Sequence, residues 1–292
     1  MVKPVKQHVL SRTLLGRWFW KDQMIVCANL SSGKTAHFKG SKAFGWEANF
    51  IEHDPEAAEE LWKTVENRMP DAFKSLDQCD EPIPAEEADL IRDCMALHWA
   101  RSRAMRTAMQ RVETRFMNQA VEEIKDSMKQ LFPSGTCSDE ALGLLERIVQ
   151  EGPDELRDGR HFSSRVPEYF DLAKAIFRHS SLHIFDAPAG WEFALGDAPV
   201  LTTSEYIDGG LGPHQGVALG DAELILMPFG PKVAVALAAS PPARSVATVE
   251  QVRCINAWQV RAAEKEVFYR KNWPAVMTVR RLIEARTERD GC

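Results

Sequence analysis

The chain has 292 residues, of which 45% are hydrophobic and 27% charged, with a formal net charge of −6. That length suits one large core or two modest ones, and the composition excludes a largely disordered chain. The mild acidity excludes a protein whose entire surface coats nucleic acid, while leaving room for a local basic face.

The opening "KQHVLSRTLLGRWF" sets His8 and two arginines among leucines and aromatics of core character. Met24 to Leu30 and Thr35 to Gly40 then read as a strand pair, with Ser31, Ser32 and Gly33 supplying the turn. A helix starts after Asp54 as N-cap, with Pro55 at its first position and Glu56, Glu59 and Glu60 near the positive end of its dipole. Its apolar stripe is Leu61, Val65, Met69 and Phe73, and Pro70 inside that stripe predicts a kink or a restart. From Pro84 to about Leu131 the chain reads helical without a glycine or proline after Pro84, a length that predicts two helices in one bundle. A shorter helix is expected over 139–150 behind Ser138, and another from about Pro167 to Arg178.

The period then changes. Leu182 and Ile184, then Trp191, Phe193 and Leu195, alternate across Ala187–Gly190 and predict a second hairpin. "ELILM", "PFGP" and "KVAVALA" read as strand, turn, strand, and a last helix runs from Thr248 to about Lys271, opened by the capping box Thr248–Gln251. The expected fold is one α+β domain: a β part over about 1–52, a helical bundle over about 53–180, and a β part with a closing helix over about 181–292, the terminal strands sharing one sheet.

The six cysteines (Cys27, Cys79, Cys94, Cys137, Cys254 and Cys292) include no C-x-x-C pair and are read as reduced thiols. No N-terminal apolar leader is present, and runs such as "VAVALAA" fall far short of the roughly 20 residues that span a bilayer, so a cytoplasmic protein without membrane contact is expected.

Several segments in order resemble the domain-of-unknown-function family numbered 4238, which is bacterial and fungal. His8, Leu10, Arg12, Leu15 and Phe19 match its opening pattern, although Ser11 stands where members usually have proline. "TVENR" resembles its glutamate-bearing helix and places Glu66; "LHWARSRAMR" resembles its arginine-bearing helix and places Arg101 and Arg106. "WEFALGDAPV" resembles its hairpin, with Asp197 and Pro199, "MPFGPK" its second proline-rich turn, and "CINAWQVRAAEKEV" its closing helix, with Asn256. The resemblance implies an architecture and brings no activity.

The candidate chemistry is therefore read from residue types. Imidazole changes charge near neutral pH, so His8 is a candidate proton carrier, with a hydrogen-bonded packing role as the alternative. Asp197, in Gly-Asp-x-Pro, is either a turn cap or a carboxylate held for a metal or for base chemistry. Arg101, Arg103, Arg106, Arg111 and Arg115 face a single acid, Glu113, between them, and such a run suits an electropositive ridge for a phosphate-bearing ligand. His179 and His183 have a four-residue spacing but lack the H-E-x-x-H glutamate, and neither G-x-x-x-x-G-K-[ST], G-x-G-x-x-G nor G-x-S-x-G is present. Trp18, Trp46, Trp62, Trp191 and Trp258 read as core.

The sharpest expectation is that His8, Glu66, Arg101 and Asp197 converge in one cleft as a nuclease-like phosphodiester hydrolase. Asp197 and Glu66 would hold a divalent metal ion or act as base, His8 would move a proton, and Arg101 would neutralise phosphate charge. Arg12, Arg106 and Asn256, on the same motifs, are candidate substrate-binding residues, and nucleic acid or another phosphate-bearing ligand is the expected partner. The alternatives are a non-catalytic interaction module built on the arginine ridge, and a structural protein whose polar residues are only caps.

Overall fold

A computed structural model describes residues 6–40, 42–51, 55–78, 83–131, 143, 147, 160–204, 216–271 and 276–290. In chain order, β1 (Lys6–His8), α1 (Arg12–Gly16), β2 (Met24–Asn29), β3 (Thr35–Lys39) and β4 (Trp46–Ala48) precede α2 (Pro55–Glu66), α3 (Met69–Asp77), α4 (Ala85–Ala100), α5 (Arg103–Leu131) and α6 (Arg160–Phe177). Then come β5 (Ser181–Asp186), β6 (Leu195–Gly196), β7 (Leu201–Thr203), β8 (Leu224–Gly230), β9 (Val233–Ala238), β10 (Ala243–Val246), α7 (Val249–Ala262), β11 (Glu266–Tyr269) and α8 (Val276–Asp290). Helices and sheets are both substantial, and the fold class is α+β as expected.

Local chemistry sets most boundaries. The apolar stripe does restart at Pro70: α2 stops at Glu66, and α3 begins at Met69 with Pro70 in its first turn, where a missing amide costs nothing. The long helical stretch divides at Arg101–Ser102 into α4 and α5. Thr248 caps α7 with both halves of the capping box made. Asp54 and the helix expected over 139–150 lie outside the described residues, apart from Gly143 and Arg147. Pro167 does not open α6, which starts a full two turns earlier at Arg160 and carries the proline inside it.

The terminal strands share one sheet only in part. β3-β2-β11-β6 is an antiparallel four-stranded sheet joining both ends of the chain. β10-β5-β9-β8-β7 is a separate five-stranded sheet, antiparallel except for β10 alongside β5. The hairpin expected across Ala187–Gly190 does not form; β5 pairs with β9 and β10, while Leu195 joins the other sheet. Trp191 and Phe193 carry no strand pairing: the Trp191 amide donates to the Pro188 carbonyl, Phe193 is held by the Pro231 carbonyl and the Trp18 indole, and side chains of α7 take the backbone of Glu192, Ala194 and Gly196.

The five-stranded sheet is covered on both faces, which is why β8 and β9 are apolar at every position rather than alternating. Ile225, Met227, Val235 and Leu237 face the helical core, and Leu224, Leu226, Ala234 and Ala236 face Val252, Ile255 and Trp258 of α7. The first turns of α4 meet solvent, but its C-terminal half is buried on nearly every side, with Cys94, Met95, Leu97 and His98 following Leu90 and Ile91 into that core. The last helix expected to Lys271 ends at Ala262, and β11 follows. α8 packs Val279 and Ile283 against the outer face of the four-stranded sheet, and Arg286 Nη1 donates to the carbonyls of Val260, Arg261 and Ala263, which α7 leaves unpaired at its C-terminus.

A buried cluster of histidine, glutamate and arginine

Three of the four residues expected to converge do so. Arg101 occupies the turn between α4 and α5 and is 1% exposed. Its Nη2 lies 2.6 Å from Glu66 Oε1 at the C-terminal end of α2, and its guanidinium stacks 5.0 Å above the ring of Trp62, one turn earlier on the same helix. His8, at the end of β1, is half-buried and within electrostatic reach of Glu66, Arg101 and Arg12. Burial first, and the Arg12 and Arg101 charges after it, lower the His8 pKa, while Glu66 and the Gly45 carbonyl act the other way. His8 is accordingly neutral near pH 7.

The cluster is incompletely satisfied. His8 Nδ1, Trp62 Nε1, Glu66 Oε1 and Arg101 Nε are all buried without a hydrogen-bond partner, although Glu66 Oε1 is ion-paired with Arg101 Nη2. Buried polar groups are paired in the great majority of cases, because each orphan costs roughly 1–3 kcal/mol. Four in one place mark either a store of strain or a prepared binding site.

Two neighbours escaped the sequence reading. His98, fully buried on α4, donates from Nδ1 to the Cys94 carbonyl at 2.7 Å, which leaves Nε2 to accept from the Ser11 amide and from Arg101 Nη2, each at 3.3 Å. It thereby ties the segment after β1 to the guanidinium. Burial, then the Arg101 charge, pushes its pKa down to about 3. Glu59 lies one heptad before Glu66 on α2; burial raises its pKa, Arg101 lowers it and Glu66 raises it. In the sequence Glu59 stands out only as an acid near the start of α2, and the signal that links it to the cluster is its spacing to Trp62 and Glu66 on one helix face.

Asp197 belongs elsewhere. Completely buried, it accepts from the amides of Glu264 (2.7 Å), Lys265 (2.9 Å) and Glu266 (3.1 Å) and from Arg103 Nη1 (2.7 Å). Arg103 also reaches Glu47 at 2.8 Å and Glu266 at 3.3 Å, and Arg106 lies 3.6 Å from Glu47. Arg101 and Arg103, two residues apart, thus serve different clusters on either side of the β1–β4 ribbon, in which His8 faces Trp46 and Gln7 faces Glu47. With one bond at Oδ1 and three at Oδ2, Asp197 caps the turn between α7 and β11. The expected pairing of Asp197 with Glu66 around a metal is not made, and among the described residues no group of three or more His, Cys, Asp or Glu is arranged to hold one.

Asn256 is likewise occupied. Its Oδ1 accepts from the Ala194 amide at 2.7 Å and its Nδ2 donates to the Glu192 carbonyl at 3.0 Å, while Gln259, one turn on, binds the Gly196 amide and the Pro199 carbonyl. These two amides imitate a strand edge for the 192–199 segment and staple it to α7. Nor is there a continuous arginine ridge: Arg101 and Arg103 are buried, Arg106 is bound to Glu47 and stacked on Phe50, and only Arg111 and Arg115 of the five are exposed. Arg12 is exposed beside His8. The His179–His183 spacing is broken by the end of α6, and His183 Nε2 meets Ser240 instead. A groove of about 290 Å³ between α3 and the start of α4, lined by Arg68, Asp71, Lys74 and Glu86 among others, contains none of the candidate site residues.

The class defined by these features is an α+β protein with a partly open His/Glu/Arg cluster between its first strand and its helical bundle. The chain belongs to the family described as protein of unknown function (DUF4238), whose model matches residues 6–272. That match takes in both charge clusters and leaves out α8. No curated protein and no solved structure matches the chain. Among the described residues, no helix is long and apolar enough to cross a membrane.

Proposed function

We propose that the protein is a phosphodiester-cleaving hydrolase, nuclease-like in its chemistry, whose reaction centre is His8, Glu59, Glu66 and Arg101 with Trp62. The observation that carries this reading is the set of three buried polar atoms without a hydrogen-bond partner, His8 Nδ1, Trp62 Nε1 and Arg101 Nε, gathered from three elements around the Arg101–Glu66 ion pair. Two are fixed donors, Arg101 Nε–H and Trp62 Nε1–H, which suit the non-bridging oxygens of a phosphoryl group in a site shielded from water. Neutral His8, with Nδ1 unpaired, is suited to accept a proton, and two carboxylates of different environment lie along α2 on the same face as Trp62. Glu66 holds the guanidinium and limits the net positive charge of the site.

His98 is a positioning residue in this scheme, since a neutral imidazole accepting from Arg101 Nη2 orients the guanidinium without competing for its charge. Phosphate-bearing substrates, nucleic acid among them, are the proposed partners. The described cysteines Cys27, Cys94 and Cys254 are free thiols, which supports a reducing, cytoplasmic setting.

The test is a panel of end-labelled ribo- and deoxyribo-oligonucleotides and nucleotide diesters incubated with purified protein, with and without divalent ions. Cleavage by the wild type that drops about a hundredfold or more in both Glu66→Gln and Arg101→Lys supports the proposal, since losses of that size follow removal of charge-stabilising and proton-transfer groups. Turnover of no diester in the panel, or turnover unaffected by both substitutions, overturns it.

A further inference from the structure

We infer that the edge strand β3, with the residues around it, is a docking track for single-stranded nucleic acid, a role that goes beyond the reading of the His8, Glu66 and Arg101 cluster and does not depend on it. Charge is segregated along the chain. Residues 1–46 hold eight lysines and arginines against one acid, Asp22, a balance of +7, while the remaining 28 basic and 41 acidic residues give −13. Such an asymmetry makes the basic part the place for a polyanion on a protein that repels polyanions elsewhere. Some of these cations are committed: Arg17 is bound to Asp77, and Lys6 lies over Trp46. Lys21, Lys34, Lys39 and Lys42 are exposed and, among the described residues, reach no carboxylate.

The fold sets these lysines around one open edge. β3 pairs with β2 on one side only. The Asn29 amide donates to the Lys34 carbonyl and the Gly40 amide to the Gln23 carbonyl, so in this register β2 takes the backbone of Ala36 and Phe38. The amides of Thr35, His37 and Lys39 therefore point outward along the edge, where backbone N–H groups can donate to phosphate oxygens. Lys34 and Lys39 mark its two ends, about 17 Å apart at the rise of an extended strand. Lys42 follows the turn at Gly40 (φ 74°), and Lys21 adjoins Trp20. His37 stands mid-strand across from Val26, on the face where α8 packs Val279 and Ile283, yet α8 leaves it exposed. The rings of Trp20 and His37 meet edge to face, 6.5 Å apart, which holds the imidazole in place between the two lysines. The exposed charges of α8 alongside, Arg280 and Arg281 against Glu284, do not cancel those of the edge.

An extended row of cations with a ring in its middle suits a single strand: the cations follow the sugar-phosphate backbone, and a base stacks on the ring without being read for sequence. A membrane surface fits less well. The large apolar side chains exposed among the described residues, Val112, Phe116, Leu172, Val246 and Val249, lie on other elements and supply nothing here to insert. Lysine on an edge strand also deters pairing between copies of a chain. That role accounts for Lys39 and leaves Lys21 and Lys42, off the strand, unexplained.

The deciding experiment is fluorescence anisotropy of short end-labelled oligodeoxythymidine and oligouridine with the full-length protein, over about 50 to 200 mM KCl. Four phosphate contacts predict that the logarithm of the binding constant falls against the logarithm of salt with a slope of about −2.8. Lys34→Gln combined with Lys39→Gln should halve that slope and weaken binding about 25-fold at about 0.1 M KCl, whereas arginine at both positions should preserve both values. His37→Ala should weaken binding about fivefold or more and leave the slope unchanged. Circular dichroism confirms that each variant is folded. Failure of both strands to bind at the lowest salt, or binding that the paired glutamine variant leaves intact, overturns the track. Binding lost instead in Arg111→Gln combined with Arg115→Gln overturns it in favour of α5. Tighter binding of a duplex of equal length overturns the single-strand assignment, and a silent His37→Ala overturns the stacking role. Anionic phospholipid vesicles or polyglutamate bound as tightly, with the same dependence on Lys34 and Lys39, overturn nucleic acid as the partner. Every readout is binding, so absence of cleavage leaves this inference standing while removing the hydrolase reading.

Discussion

Replacing Asp197 by alanine separates a cap from a catalyst. The side chain is completely buried and accepts four hydrogen bonds, three from the successive amides of residues 264–266 and one, at 2.7 Å, from Arg103. Arg103 is itself 6% exposed, so Asp197→Ala leaves a buried guanidinium short of one of its three carboxylates. Removing one partner of a buried ion pair costs about 3–5 kcal/mol, and each orphaned buried amide adds up to about 1–3 kcal/mol. Glu47 and Glu266 retain part of the charge balance and water reaches the half-buried turn, so the expected loss falls below the lower bound of the summed figures, about 6 kcal/mol, and is about 4 kcal/mol. That is a large share of the roughly 5–15 kcal/mol that holds a domain folded. Urea unfolding followed by tryptophan fluorescence and circular dichroism, on wild type, Asp197→Ala and Asp197→Asn, reads it out. Asparagine, which keeps one acceptor and loses the charge, should fall between the other two. An alanine variant that unfolds within about 1 kcal/mol of wild type would refute the capping role and return Asp197 to the candidate reacting groups.

Other consequences are equally open to measurement. Because the folded-state pKa of His98 lies near 3, below the unfolded 6.5, the unfolded chain binds the extra proton in between. The stability this group contributes is complete above pH 6.5 and declines on acidification, by about 1.4 kcal/mol per pH unit, until pH 3; His98→Gln should flatten that slope, and an unchanged slope would contradict a neutral His98. A Cβ added at Gly196 would stand 2.7 Å from the Gln259 carbonyl oxygen, backbone that α7 holds in place, so Gly196→Ala should lose about 1–3 kcal/mol in the same urea assay. Asn256→Ala and Gln259→Ala act on one segment through adjacent bonds, and their combined loss should differ from the sum of the single losses by more than about 0.5 kcal/mol. Strict additivity would show that they hold it independently.

The legible parts of the fold were those dictated by local chemistry. The Thr248 capping box and the restart at Pro70 follow from side chains close by in sequence, and the division of the 85–131 stretch from its length. β8 and β9 were visible as unbroken apolar runs bounded by a turn. β11 was not, because nothing in "RAAEKEVFY" breaks a helix: no glycine or proline intervenes, and the chain leaves α7 where Asp197, some 67 residues away, takes the amides of residues 264–266. The absent hairpin at 187–190 has the same origin, since Asn256 and Gln259 supply from a distance the bonds a partner strand would have made.

The site was legible by residue type and less so by location. His8, Glu66 and Arg101 could be named as candidates, but a sequence does not show that Arg101 and Arg103 at a helix break point into different clusters. His98 looks like any histidine on an apolar helix, and only the fold places its Nε2 against both Ser11 and Arg101. Both omissions concern groups whose importance lies in what they touch across the core.

One paired comparison decides whether the reacting groups and the cap have been told apart. Oligonucleotide cleavage per folded molecule is measured for His8→Gln and Asp197→Asn beside wild type, with urea midpoints on the same samples. His8→Gln should lose about a hundredfold in rate and little in stability, and Asp197→Asn should lose stability while keeping its rate per folded molecule. The opposite pattern, a silent His8 substitution and a stable but inactive Asp197 variant, would contradict the placement of the reaction centre.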